Sequence, residues 1–563
     1  MTAQGTEPDA ETAAEPPPSG GQAGSPADVD PGPESGEKDP TPSASEHHRS
    51  NVAAKAFRGL VWMASTGLGS RIVSLVSTLL LARLLLPDEY GEVQNTFIVI
   101  WMVDLLAQIG VPMYIAGRAD LTKKHIQHAI FYYHVCGVFG LALCLIIARP
   151  VGPWFGAPHM YLYMPGFVVS HLFQRIATIP DRLLVRDLRF RASSVIRAVA
   201  EVVYAVTSLG LAFAGSRLDF KLGGIAFVFG GGFCIVWGGI ARSVFRTIAC
   251  AALIRVREWF AILKPDREHT RDVFAFGVPI TMAGLGSLGA RRWDNLVLGH
   301  LYGPGVSGIY NYAYNLADVP PSVVGEALGD ILAPSFAKVD AADRPKELFR
   351  WVAISGVVCF PLGVGLSAVG PSLAWLFKKE WLSAVPMLIL LGSLSLTRPV
   401  IGTFFSYLQV HGKTHTLMVL EWVKAIGVVL VIFATTHIVR LVAPHLDDTY
   451  GPLLGCLAVG IVKTLSVLQY QFASAKVGGF PVRRVIVPLF RPLLACVPLV
   501  AGVLLVRLMF GDVSSRLLLI VRLLCEIVVG AIVYVGAAWL IARDASREVI
   551  ALLKTMILKR RGG

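Results

Sequence analysis

From about residue 60 onward the apolar residues run in long blocks, each close to 20 residues and each closed by a short polar or basic turn. Blocks of that length match the hydrocarbon core of a bilayer crossed as an α-helix. Fourteen spans are predicted, over 60–81, 93–115, 128–148, 160–179, 194–214, 223–244, 273–299, 307–329, 349–370, 383–408, 416–436, 452–473, 488–508 and 516–541. The connections are too short for a folded soluble domain. The expected fold class is therefore an all-α integral membrane protein.

Basic residues test the count, because one missing span would invert every later connection. They fall on alternate connections, from Lys55 and Arg58 through Arg118, Lys123 and Lys124, then the run of Arg182, Arg186, Arg189 and Arg191, and the stretch from Arg242 to Arg271. The series continues with Lys338, Arg344 and Lys346, then Lys476, Arg483 and Arg484, and ends in Lys559, Arg560 and Arg561. This bias predicts both termini in the cytoplasm.

The pattern also repeats itself. GLGS occurs at 67–70 and at 284–287, and at that offset of 217 Leu81, Leu84, Pro87 and Gly91 match Leu298, Leu301, Pro304 and Gly308. Span 1 thus corresponds to span 7, and six intervening spans give both copies the same orientation. Two parallel six-helix lobes around a central cavity follow, with spans 13 and 14 peripheral. The expected organisation is an N-lobe over 55–244, a basic cytoplasmic linker over 245–272, a C-lobe over 273–473, the extra spans at 488–541 and a basic cytoplasmic segment at 542–563.

Composition supports this picture. Of 563 residues 54% are apolar and 16% charged, with a mean hydropathy of +0.61, which excludes a soluble protein. Residues 1–50 differ, with nine prolines, six glycines, ten acidic residues and no aromatic, and are expected to be a disordered acidic tail. The tail carries −8 of a whole-chain +13, leaving +21 for the rest. That excess sits in short patches between spans, which favours membrane topology over nucleic acid as its explanation. The eight cysteines all lie in apolar stretches with no C-x-x-C spacing, as packing residues do.

Ionisable residues inside spans are costly and face protein or water, so they outline a cavity. Arg71 sits near the middle of span 1, Arg291 and Arg292 on the corresponding span 7, and Arg398 in span 10 before Pro399. Three cationic helices point to an anionic passenger. Asp104, Asp294 and Asp318 are the carboxylates at comparable positions, to serve either ion coupling or charge balance. Arg197 with Glu201, Arg522 with Glu526, and Glu421 with Lys424 have spacings that allow pairing along one helix.

Three motifs mislead. GLGSLG at 284–289 fits a dinucleotide fingerprint but lies inside an apolar run with no preceding strand, so helix packing explains its glycines better. Gly412-Lys413-Thr414 lacks the earlier glycine of a P-loop. His411 with His415, and His125 with His128, have ligand spacing without a third ligand nearby. Neither metal nor cofactor is expected.

The segments Gly59–Trp62, LLLARLLLPDEYGEV at 79–93, IPDRLLVRDLRFR at 179–191 and NLVLGHLYGPGVSGIYNYAYNLADVP at 295–320 resemble polysaccharide-biosynthesis flippases of the Wzx type. These belong to the multidrug/oligosaccharidyl-lipid/polysaccharide exporter superfamily. The resemblance spans residues 55 to 541. Ser70-Arg71 and Ala82-Arg83 also reproduce a spacing of the related lipid II flippases, which implies a cavity role for Arg71. A further cavity arginine of those proteins falls on Ser77 here, a departure that argues against lipid II as passenger.

The resemblance implies a flippase that moves undecaprenyl-pyrophosphate-linked oligosaccharide repeat units across the bacterial plasma membrane for surface polysaccharide synthesis. Polysaccharide polymerase or export proteins, and membrane lipid, are the other partners it implies. Arg71 and Arg291 are then expected on the pyrophosphate, with Arg292 and Arg398 as secondary contacts. A multidrug or ion antiporter of the same fold is the alternative, and a membrane polysaccharide polymerase or ligase a further one. An antiporter for organic cations would favour cavity carboxylates, and a polymerase or ligase a large external loop.

Overall fold

The computed structural model describes residues 69–551 apart from 71–72, 75, 118–120, 188, 223–224, 256–265, 375–377 and 512–514. Arg71, the acidic tail and the last twelve residues lie outside the described residues. Helix α1 is described as far as residue 84. There follow α2 (Pro87–Gln108), α3 (Val111–Gly117), α4 (Lys123–Val151), α5 (Met160–Arg186), α6 (Phe190–Ala214), a hairpin of β1 (Phe220–Leu222) and β2 (Ile225–Phe227), and α7 (Phe233–Ala251). The second half holds α8 (Arg267–Lys338), α9 (Arg344–Leu373), α10 (Ala384–Leu391), α11 (Ser393–Val410), α12 (Thr414–Val442), α13 (Asp447–Gly478), α14 (Arg483–Phe510) and α15 (Arg516–Ile541).

Among the described residues nine helices are long and apolar enough to cross a membrane, or ten with the bent pair around α10 and α11. The chain is a multi-pass membrane protein. Helix α8 counts once in that tally although Gly303, at φ 85°, breaks it where the two spans predicted over 273–299 and 307–329 meet. The span predicted over 223–244 begins differently, because its first residues pair as the hairpin and α7 starts only at Phe233. An apolar run such as Ile225–Phe227 reads alike for strand and buried helix.

In the first lobe α7 packs on both α5 and α6, α4 packs on α5, and α2 lies against α4 and α5. In the second, both α11 and α12 lie on α8, α13 packs on α12 and α11, and α9 packs on α11. Helices α14 and α15 pair with each other and lean on α9. Their outer faces present Leu508 and Leu540, both about four-fifths exposed, as lipid-facing residues are.

The lobes meet along α2 and α8. At the end where α1 meets α2, called the far end here, a Cβ on Gly91 would fall on the Pro304 carbonyl, and one on Gly308 on the Pro87 carbonyl. These are the residues that repeat at an offset of 217, each copy packing on its counterpart's neighbour. Such reciprocity is what a two-fold axis produces. It also explains the glycines, since no side chain fits where two backbones touch. Asn95 holds the seam with its amide on the Phe155 carbonyl and its oxygen accepting from Ser307, both at 2.8 Å. Trp381, fully buried, lies between Tyr90 and Tyr312 and donates to the Leu85 carbonyl.

At the opposite, near end α2 closes on two left-handed residues, Ile109 and Gly110. They turn the Ile109 carbonyl onto Gly277 of α8, where a Cβ would collide with it. Side chains complete this end. Tyr114 donates to Asp272, Tyr132 pairs with Thr270 at 2.8 Å, and the His269 ring lies 4.5 Å from His125 and 4.7 Å from His128.

Candidate functional site

A cavity of about 510 Å³ opens between the lobes, lined by α1, α2, α5, α6 and α7 on one side and both arms of α8 on the other. Its first-lobe wall combines aromatic faces (Phe97, Trp101, Phe167, Tyr204) with short polar groups (Ser74, Thr78, Gln94). Stacking faces interleaved with hydroxyls and amides can bind apolar ring faces and hydroxyls together. The opposite wall brings Arg292, Asn315 and Asp318. Arg292 donates to the Asn315 amide oxygen at 3.2 Å and lies over the Tyr314 ring. Arg242 of α7, on the first-lobe wall, is paired with Glu201 of α6 at 3.3 Å.

Helical geometry sends the neighbouring arginine elsewhere, because successive residues project about 100° apart. Arg291 faces a smaller cavity of about 200 Å³ within the second lobe, lined by α8, α11, α12 and α13. Arg398, Lys424 and Lys463 line it as well. Asp318 borders both cavities and pairs with Arg398. Asp294 is fully buried under the second cavity, with the Lys463 ammonium and the Tyr310 hydroxyl each at 2.8 Å. Asp104 lies away from both, buried against Arg175, with Gln108 at 2.8 Å.

Four candidate residues, Arg291, Arg292, Arg398 and Asp318, thus border two adjoining cavities, Asp294 underlies one of them, and Asp104 stands apart. Among the described residues no group of three or more His, Cys, Asp or Glu is placed to hold a metal ion. The glycines of 284–289 serve packing: Gly286 makes room for Trp422 of α12, whose indole donates to the Met282 carbonyl at 3.1 Å. Gly412, at φ 68°, makes the turn from α11 to α12.

A family model described as "Polysaccharide biosynthesis protein" matches residues 80–386, more than half of the chain and every helix that meets at the seam. The chain belongs to that family. As a polysaccharide biosynthesis protein it is similar over most of its length to the succinoglycan biosynthesis transport protein ExoT of Rhizobium meliloti (strain 1021), at 22% identity over 89% of this chain and 96% of that one. It is also similar to the lipopolysaccharide biosynthesis protein WzxC of Escherichia coli (strain K12), at 23% identity over 80% and 87% of the two chains. Among solved structures, the lipid II flippase MurJ in an inward closed conformation superposes with a TM-score of 0.61 at 14% identity, covering 86% of this chain and 99% of that one. An inward-facing multidrug resistance MATE family transporter gives 0.54 at 15% identity over 73% and 96%. The fold is that of these transporters.

Two residues of this polysaccharide biosynthesis protein escaped the sequence argument. Arg175 is 2% exposed, donates to the Ala107 and Tyr133 carbonyls at 3.0 and 2.6 Å, and fills the space that a side chain on Gly137 would need. Lys463, 6% exposed, neutralises Asp294. Both are ionisable residues inside predicted spans, so the rule that singled out Arg291 and Arg398 reaches them too.

Proposed function

We propose that this protein carries lipid-linked oligosaccharide repeat units from the cytoplasmic to the outer leaflet of the bacterial plasma membrane, for assembly into a surface polysaccharide. The observation that carries this reading is the inter-lobe cavity, where aromatic and hydroxyl groups suited to sugars face a guanidinium suited to an anionic linker. Family membership and the transport and lipopolysaccharide roles printed in the names of its relatives support it. The passenger in this reading is undecaprenyl-pyrophosphate-linked. Arg71 and Arg292 serve its pyrophosphate, Arg292 from the central cavity, with Arg291 and Arg398 reached through the adjoining one. Both termini lie in the cytoplasm, the lobes comprise 55–244 and 273–473, and polysaccharide polymerase or export proteins take the product.

Alternating access follows from the two lobes rocking so that the far and near ends of the seam open in turn. Moving two negative charges outward down 100 mV, inside negative, releases about 4.6 kcal/mol. Transport on this account needs no coupled ion. Asp104, Asp294 and Asp318 balance Arg175, Lys463 and Arg398 respectively.

The test is the leaflet location of lipid-linked repeat units in a deletion strain, read by access to an impermeant lectin. Intermediates confined to the cytoplasmic face support the reading. Complete repeat units exposed outside would move the defect to polymerisation and overturn it.

A further inference from the structure

The smaller cavity in the second lobe has an unbalanced charge. Three of its cations have carboxylates: Arg398 has Asp318, Lys424 has Glu421 at 2.9 Å, and Lys463 has Asp294 at 2.8 Å. Glu421 is engaged a second time by the Tyr470 hydroxyl at 2.6 Å, and Asp294 by Tyr310 and Asn295. Each of these acids is already committed to one cation, which leaves three negative charges for four positive ones. Arg291 is the fourth cation. Its Nε donates to the Ser287 carbonyl of its own helix, and among the described residues no carboxylate lies within ion-pair distance of it.

Depth makes this costly. Arg291 stands twelve residues before the break at Gly303, about 18 Å along the helix, which is near the middle of a hydrocarbon core about 30 Å thick. An arginine that deep cannot reach a headgroup, so its charge calls for water or an anion in the cavity.

We propose that this cavity is a second anion seat that takes one oxyanionic group of the passenger, a carboxylate or phosphate. Arg291 supplies the unspent charge and Lys424 stands beside it, while the Asp318–Arg398 pair forms the wall towards the central cavity. The seat is separate from Arg292, which faces the larger cavity. At about 200 Å³ it admits one sugar ring or one pyrophosphate, not a whole repeat unit. The group comes from one of two sources, the pyrophosphate linker or an acidic sugar of the glycan. This inference rests on the carrier reading above but is tested by binding alone, so either can fail without the other.

The experiment is calorimetric titration of the purified full chain in nanodiscs with inorganic pyrophosphate, sodium glucuronate and, as a neutral control, glucose. Saturable binding of either anion is expected, with one component weakened about tenfold, or 1.4 kcal/mol, in Arg291→Gln but retained in Arg292→Gln. Arg291→Lys, which keeps the charge, should recover most of the affinity and separates loss of the site from loss of the fold. Binding of pyrophosphate alone assigns the seat to the linker, and binding of glucuronate alone to an acidic sugar. Absence of saturable anion binding, an unchanged affinity in Arg291→Gln, or loss of one and the same component in Arg291→Gln and Arg292→Gln would each overturn the second seat.

Discussion

The two ends of the inter-lobe seam are built by different means. At the far end backbone lies on backbone, and Pro87, Gly91, Pro304 and Gly308 are positions present in both copies of the repeat. At the near end Gly110 and Gly277 also touch, but their counterparts at an offset of 217 are Ala327 and Leu60, and the contact is completed by Tyr114, Asp272, His125, His128 and His269. One end keeps the symmetry of a duplicated chain. The other is completed by titratable side chains from both lobes, and different residues stand at their counterpart positions. The far end therefore acts as a steric closure that is either made or broken, whereas the near end is graded by charge.

The largest disruption comes from Gly91→Val, which puts methyl groups onto the Pro304 carbonyl. Overpacking of about 3 kcal/mol there corresponds to roughly a hundredfold loss of the closed far end. Glycan export in a complemented strain should fall accordingly, with Gly308→Val matching it. Unequal losses would break the symmetric reading. Asn95→Leu is milder, since it strands the Phe155 carbonyl and the Ser307 hydroxyl at about 1–2 kcal/mol, roughly tenfold, read as faster labelling of the far end by an impermeant maleimide. Tyr114→Phe removes one hydrogen bond to Asp272 and should raise near-end labelling by about fivefold, or 1 kcal/mol, without touching the far end.

The smallest effect is that of pH, and it belongs to the near end alone. His125, His128 and His269 face one another with Lys123, Lys124, Arg267 and Arg271 on the same two helices, against Asp266, Glu268 and Asp272. The hydrogen bond from His269 holds the Asp266 carboxyl below its ordinary range, so that pair persists well into acid and weakens only as pH falls through the lowered value. Near-end labelling should stay level from pH 7.5 to 5 and rise, up to about threefold, only below about pH 4, as Asp266 takes up its proton and releases His269. His269→Gln should flatten that rise.

Hydropathy and the repeat made the helices, the parallel lobes and the seam glycines legible, because bilayer thickness and duplication leave marks along the chain itself. Partner choice was legible in part: Glu421 pairs with Lys424 and Glu526 with Arg522, as their spacing along one helix allows. Spacing along one helix favours Arg197 with Glu201, yet Glu201 pairs across to Arg242 of α7 while Arg197 donates to the Ser193 hydroxyl at 2.9 Å. Asp294 likewise goes to Lys463 of α13 rather than to Arg292 two residues away. Which side chains meet between helices depends on helix rotation, which neither charge counts nor hydropathy encode. The same holds for Arg291 and Arg292, adjacent in sequence and assigned to different cavities by one step of helical rotation.

If the protein is a carrier of this kind, its far end must open for export. Asp88 and Gly305 are equivalent positions facing each other across the axis, so Asp88→Cys with Gly305→Cys places a disulfide over the closed seam. With the bond formed, lipid-linked repeat units should accumulate on the cytoplasmic face, and a membrane-permeant reductant should restore export. Full export with the two lobes still covalently joined at that point would contradict the account.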